Sequence, residues 1–283
     1  MKPFEYFAPE TVGEACEILA THDGSARVVA GGTDLLLKMK AGKLAPKVVV
    51  NIKRLPDLRG IATLQSLISI GALTTLEQLR LSPLIREHYP ALAAAAATMA
   101  SAQIRNLATL GGNLCNAAPS ADLAPILMAL EAVVRIVGPD GERRAPLEEF
   151  FTGPGATALS RGELLVAVEV PPPVGPALYL KHAPRECMDI AVVGVGLAVR
   201  LADGRCELAR VALGAVAPTP MRARRAEAEL ASGPPTPERI DRAARIAAEE
   251  CQPIDDVRGS AWYRRRMVEV LTRRGLSALL GET

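Results

Sequence analysis

A change of pattern at the proline-rich stretch PPPVGP (171–176) constrains this chain more than any other feature. Ahead of it, short β-branched runs alternate with helical spacing. Behind it, a run of strands precedes a run of helices. A stiff, extended proline-rich segment joins pieces rather than continuing one. The sequence therefore predicts separate folded pieces, and 283 residues agree, at roughly 100–200 residues per domain.

In the first piece, Val12, Ala15, Ile18 and Leu19 fall at helical spacing, VVA (28–30) reads as a buried strand, LLLKMK as a helix ending near Gly42, and VVVNI (48–52) as another strand. SLISIG and TLEQL continue the alternation, which points to α/β layers. Residues 90–105, rich in Ala and opening at Pro90, predict one helix. TLGGNL follows as a loop, and Ser120 offers an N-cap to a helix reaching Leu130. AVVRIV and ERRAPL flank a Pro-Asp-Gly turn and predict a hairpin. Beyond residue 176, strands are expected over 177–181, 192–201 and 207–216, the last two joined at Asp203-Gly204. Helices over 222–231, 237–251 and 260–280 complete an α+β pattern.

Several function classes are disfavoured. Net charge is +2, and aromatics make up 3% of residues, so neither a basic stripe nor a stacking platform for nucleic acid is present. The arginines at 222, 224, 225 and 264–266 sit among acidic residues and read as solvated helix faces. No run reaches the ~18 apolar residues of a membrane span. Glu5, Glu10, Glu14 and Glu17 interrupt the place where a signal peptide needs an apolar core, so a cytoplasmic location is expected. The five cysteines (16, 115, 187, 206 and 251) contain no C-x-x-C pair, and most are expected to be buried free thiols. His22, His88 and His182 lie in no hydrolase or metal motif.

What remains is backbone suited to anions. Val28, Val29 and Ala30 run into Gly31 and Gly32, with a helix starting near Thr33 or Asp34. Glycines let a ligand approach the backbone, and a helix N-terminus suits a phosphate. A tight strand–helix turn with an Asp cap explains the same letters. A second pair, Gly111 and Gly112, sits between Thr109-Leu110 and Asn113, with Asp122 downstream as a ligand or as an ordinary helix-start charge. Lys181 is the sole lysine beyond Lys53, at the end of a strand. Either a compact ammonium matters there or chance left it exposed.

Taken in order, AGGTDLLLKMK, IRNLATLGGNLCNAAPSADLAP, GELLVAVEVP and YLKHAPRECMDIAVV resemble the FAD-binding subunit of the molybdenum hydroxylases, the family of xanthine dehydrogenase and aerobic carbon monoxide dehydrogenase. The resemblance covers nearly the whole chain. It implies an α+β protein with the vanillyl-alcohol-oxidase-like FAD-binding fold. Two small α/β subdomains (1–57 and 58–174) would clasp FAD, and a C-terminal antiparallel sheet with helices (175–283) would cover it. The residues implied for FAD are Val28, Val29, Ala30, Gly31, Gly32, Thr33, Asp34 and Leu35, then Thr109, Leu110, Gly111, Gly112 and Asn113. Asp122 follows as a cofactor ligand, with Leu165 near the flavin ring and Lys181 beside it.

The implied role is electron transfer. A large chain would carry a molybdenum cofactor and a small chain the 2Fe–2S clusters, in a dimer of heterotrimers. This chain would pass electrons to NAD, a quinone or oxygen and hold no catalytic residue for the organic substrate. Two departures stand out. Met99 stands in the helix where some relatives carry an aromatic near the flavin, so either another residue, such as Tyr179, covers the ring or that face is more open. Cys115 stands alone where the hydroxybenzoyl-CoA reductase branch inserts a cysteine-rich loop for a 4Fe–4S cluster. The competing readings are a free-standing MurB-like FAD oxidoreductase, which needs its own substrate pocket and proton donor, and a non-catalytic nucleotide-binding module.

Overall fold

The computed structural model describes residues 1–22, 24–186 and 188–281. Its first sheet comes from β1 (Glu5–Phe7), α1 (Val12–Thr21), β2 (Ala26–Val29), α2 (Leu35–Lys40) and β3 (Val48–Asn51). The strands run parallel in the order β1-β3-β2. All of β3 is buried, as a central parallel strand covered on both faces requires.

The second region begins with the hairpin β4 (Ile61–Leu64) and β5 (Leu67–Gly71). Six helices follow: α3 (Leu76–Leu81), α4 (Pro83–His88), α5 (Pro90–Ala97), α6 (Ala102–Arg105), α7 (Leu110–Asn116) and α8 (Leu123–Ala129). Then come β6 (Val133–Gly138), β7 (Gly141–Pro146), α9 (Leu147–Phe150), β8 (Phe151–Gly153), β9 (Ala156–Thr157) and β10 (Leu164–Val170). The main sheet is antiparallel, in the order β4-β5-β10-β6-β7. The strand–helix alternation around residue 70 is thus local. It does not make a parallel layer, because β5 pairs with distant β10.

Strand β10 is buried along its whole length. Leu164 and Val166 pack into the core of the first sheet, whereas Leu165, Val168 and Val170 pack into the helical core. A register shift between Leu165 and Ala167 puts Leu165 and Val168 on one face despite their odd spacing.

The C-terminal sheet is β11 (Ala177–His182), β12 (Val193–Ala202), β13 (Arg205–Gly214) and β14 (Met221–Arg222), antiparallel in that order. Asp203 and Gly204 both have positive φ (50° and 70°), as a two-residue hairpin turn demands. Helices α10 (Arg224–Ala231), α11 (Pro237–Glu250) and α12 (Ala261–Leu280) follow. A Cβ on Gly275 of α12 would lie 2.4 Å from Leu197, and one on Gly196 would lie 2.5 Å from the Pro125 carbonyl. The sheet is therefore sandwiched between α12 and α8, which docks it on the helical region and brings Lys181 toward α5.

Arg222 and Arg264 are not solvated helix-face charges, since both are buried, Arg222 on β14 paired with Glu227 and Arg264 on the Val192 and Ala215 carbonyls. Three further local expectations need correction. The Ala-rich segment is not one helix: α5 stops at Ala97 and α6 starts at Ala102, with left-handed Ala100 (φ 44°) between them. TLGGNL is not a loop but the start of α7. Thr109 caps it by accepting from the Gly112 amide at 3.1 Å, and packing outweighs the low helix propensity of the glycines. Ser120 does not cap α8, whose N-cap position is Asp122. Cys16, Cys206 and Cys251 are buried free thiols and Cys115 is half-buried; Cys187 lies outside the described residues.

Candidate functional site

The first glycine motif leaves β2 and enters α2. Gly32 takes φ 76°, which only glycine adopts without strain. Gly31 serves close approach instead: a Cβ there would lie 2.0 Å from the Leu107 carbonyl. The loop thus presses on the backbone just before the second motif. Among the described residues, the amides of residues 31–35 have no protein hydrogen-bond acceptor, and helical bonding of this turn begins with Leu36, whose N–H donates to the Gly32 carbonyl at 3.0 Å. Consecutive unpaired amides make an anion cradle.

The second motif is built otherwise. Leu110 donates to the Thr74 carbonyl and Gly111 to the Ala72 carbonyl, both at 2.9 Å, and Gly112 donates to its cap. The leading amides of α7 are therefore already used. A Cβ on Gly111 would lie 2.7 Å from Ala72, so this glycine also serves packing. What the motif offers is Asn113, whose buried Oδ1 has no partner.

A cavity of ≈ 400 Å³ runs between the two motifs. Val28, Ala30, Gly31, Gly32, Thr33, Asp34 and Leu35 line one side, with Thr109, Gly111, Gly112, Asn113 and Leu165 on the others. Val29 and Leu110 are buried in the adjacent cores instead. Met99, which the resemblance set near the flavin, also lines it, as do Arg27, Lys38, Ala100, Ile104, Cys115 and Asn116, none of which the sequence singled out for this cavity. Lys38 Nζ donates to Asn116 Oδ1 at 2.6 Å, a link from α2 to α7. Burial pushes the Cys115 thiol up to about 12, so it is no thiolate at neutral pH.

Asp122 and Lys181 lie elsewhere. Lys181 lines a neighbouring cavity of ≈ 240 Å³ with Thr98, His182 and residues 183–186. Its Nζ sits 2.9 Å from Asp122 Oδ2, with both side chains 9% exposed. The other Asp122 oxygen accepts from the Tyr179 hydroxyl at 2.8 Å. Burial pushes the Asp122 carboxyl above its usual range, and Lys181 and Tyr179 pull it part of the way back. Burial and the adjacent carboxylate raise the Tyr179 phenol far above its ordinary value, so it stays a donor. This use of its hydroxyl ties Tyr179 into the core. The lone lysine is thus neither a free surface cation nor an isolated charge.

Two segments of the chain match known families in turn: residues 2–173 match the FAD binding domain in molybdopterin dehydrogenase, and residues 178–279 the CO dehydrogenase flavoprotein C-terminal domain. The chain belongs to the FAD-binding medium subunits of the molybdenum hydroxylases. A putative xanthine dehydrogenase FAD-binding subunit of Escherichia coli is 35% identical over 277 residues, 96% of this chain and 94% of that subunit. The carbon monoxide dehydrogenase medium chain of Hydrogenophaga pseudoflava is 35% identical over 276 residues, 97% of this chain and 96% of that one. Among solved structures, carbon monoxide dehydrogenase from H. pseudoflava superposes with a TM-score of 0.95 at 36% identity, covering 99% of each chain. Quinoline 2-oxidoreductase from Pseudomonas putida 86 gives 0.93 at 30% identity, with 99% of each covered.

As a medium subunit, the chain carries FAD. The residues of the large cavity fit that group: a cradle of unpaired amides for a diphosphate, an unpartnered amide oxygen at Asn113, and apolar Leu165, Met99 and Ala100 in its wall. Among the described residues no cluster of His, Cys, Asp or Glu could hold a metal ion, and no helix is long and apolar enough to cross a membrane.

Proposed function

We propose that the large cavity is the FAD site and that this chain is the electron-output module of a molybdenum hydroxylase. The unpaired amides of residues 31–35, facing the orphan Asn113 oxygen across one cavity, carry the reading. Residues 31–35 hold the diphosphate by backbone donation. Asn113 accepts from a donor of the cofactor, and Leu165 covers apolar ring surface. FAD, when bound, supplies chemistry that links single-electron donors to two-electron acceptors. The protein's part is to seat it, exclude water and set the charge around it.

Lys181 belongs to that last task. Its partner Asp122 is buried with it, so the pair contributes an oriented dipole more than a bare charge. Lys181→Met leaves the Asp122 carboxyl without its cation, which lowers the flavin midpoint potential or protonates Asp122. Potentiometry across pH separates these, and a midpoint unchanged at every pH would remove Lys181 from the flavin's surroundings.

The same reading places the molybdenum cofactor on a large partner chain and 2Fe–2S clusters on a small one, in a cytoplasmic dimer of heterotrimers. NAD, a quinone or oxygen takes the electrons. It also assigns the vanillyl-alcohol-oxidase-like arrangement, with units at 1–57, 58–174 and 175–283. The test is purification of the chain alone and with its partners. Alone it should bind FAD without turning over an organic substrate, and in the complex substrate should reduce the flavin. Turnover by the isolated chain would favour a free-standing flavoenzyme, and failure to bind FAD would end the proposal.

A further inference from the structure

The bend between α5 and α6 has a local helix start behind it, since Ser101 caps α6 by accepting from the Ile104 amide at 3.3 Å, but that cap does not require the left-handed residue ahead of it. PALAAAAATMASAQIR is half Ala, the best helix former, yet the helix breaks and Ala100 sits at φ 44°. A left-handed non-glycine residue is strained and persists only when its surroundings hold it. Arg105 is in position to hold it. Its Nη1 donates to the Met99 and Ala100 carbonyls at 2.9 and 3.2 Å, and its Nε donates to Glu77 Oε2 at 2.8 Å. The side chains of Arg105 and Glu77 are only 14% and 13% exposed. Glu77 is itself oriented by Arg80, whose Nε lies 3.1 Å from the same oxygen.

The bend forms a partition. Met99 and Ala100 line the large cavity, while Thr98 lines the smaller one with Lys181. The Lys181 Nζ lies 3.4 Å from the Thr98 carbonyl. One guanidinium therefore grips the wall of the large cavity from behind, and that wall supplies the second neighbour of the buried lysine.

We infer that Arg105, set by Glu77, is a positioning residue for the flavin: it holds the Thr98-Met99-Ala100 bend as a cavity wall and so seats Lys181. This rests on the reading of the large cavity as the FAD site. A guanidinium suits the task because its rigid planar fork aims Nε at a carboxylate and Nη1 at two carbonyls in fixed directions, whereas an ammonium offers its three donors from a single point. Without it the strained bend relaxes toward helix, the wall shifts, and Lys181 keeps only Asp122.

The test uses the full chain loaded with FAD. Arg105→Met, which removes all three of these Arg105 hydrogen bonds and so loosens the wall, should speed FAD release about tenfold and should move the flavin absorption bands and midpoint potential. Arg105→Lys should recover part of both, and Glu77→Gln should shift both in the same direction by less. Gly31→Val is the control for the underlying reading, since it should empty the site outright. If Gly31→Val loses FAD while Arg105→Met and Glu77→Gln keep wild-type release, spectrum and potential, Arg105 is merely structural and the inference fails. A lowered melting temperature with an unaltered flavin spectrum and potential overturns it equally. Should Arg105→Met not fold, Arg105→Lys and Glu77→Gln decide on the same measurements. A Gly31→Val protein that keeps its FAD would instead overturn the site assignment.

Discussion

At the first glycine pair the chain turns through a left-handed Gly32 and leaves the amides of residues 31–35 without protein acceptors. At the second pair the chain is already helical, and the amides of residues 110–112 are taken by Thr74, Ala72 and the Thr109 hydroxyl. Two motifs that read alike as anion-binding backbone therefore do different work. The first presents main chain to the cavity. The second packs main chain against main chain and presents one side chain, Asn113. Adjacent glycines signal close approach, and only the surroundings decide whether a ligand or another strand of protein approaches.

Four substitutions or conditions bear on this contrast. The largest effect is expected from Gly31→Val, because its Cβ would fall 2.0 Å from the Leu107 carbonyl, where the two motifs meet. Overpacking against backbone should cost roughly 3 kcal/mol or more and abolish FAD retention. Urea unfolding and bound-flavin absorbance measure both, and a stable, flavin-replete variant would mean the motifs do not touch. Asn113→Ala comes next. If the second motif contributes through this side chain, FAD affinity should fall about tenfold with little change in stability. A fluorescence titration indistinguishable from wild type would reduce that motif to packing alone.

Thr109→Ala removes the cap of α7 and should cost about 1 kcal/mol, with a smaller loss of FAD affinity than Asn113→Ala. The reverse ranking would show that the helix start, rather than Asn113, meets the cofactor. The smallest effect at neutral pH is expected at Glu77, behind the entry to the second motif. Hydrogen bonds from Arg80 and Arg105 hold its carboxyl down at about 2. A carboxylate held low adds stability that is complete above its ordinary range and lost as pH falls through the depressed value. Stability should thus decline as pH drops from about 4.5 toward 2, and Glu77→Gln should flatten that part of the melting-temperature profile. An unaltered acid limb would separate Glu77 from the bend.

Much of this arrangement is legible in the sequence where local chemistry and tertiary structure agree. VVAGGTDLLLK gives strand, turn and helix because β-branched residues, a positive-φ glycine and a helical run coincide there. The hairpins at 133–146 and 193–214 announce themselves by their turns, and α11 and α12 by their spacing. The remainder depends on partners far along the chain. Ser101 is a local signal for a new helix start, but nothing local marks Ala100 as left-handed, a conformation that the Arg105 guanidinium grips. In TLGGN the Thr109 cap is a local helix-start signal, but two glycines mask it, and the helix start also relies on the distant Ala72 and Thr74 carbonyls. Asp122 and Lys181 are each visible as single charged residues, but their pairing arises from docking of the C-terminal sheet on α8. Arg27, Lys38 and Asn116 carry no signal beyond being polar.

The dual burial of β10 has a consequence for how the molecule comes apart. Leu164 and Val166 complete one core while Leu165, Val168 and Val170 complete the other, so losing this strand empties both together. The parallel N-terminal sheet and the helical region should then melt as a single cooperative unit, and the amides of β10 should be among the last to exchange with deuterated solvent. The C-terminal sheet enters through PPPVGP and has its own core, and it meets the helical core through Tyr179, Ala198 and Ala212 rather than through β10. A protease acting near residues 171–176 under mild denaturation should therefore release a C-terminal fragment, leaving an N-terminal one that resists further cutting. The proposed FAD cavity, whose wall includes Leu164 and Leu165 on opposite faces of that strand, lies at the seam the surviving fragment keeps intact.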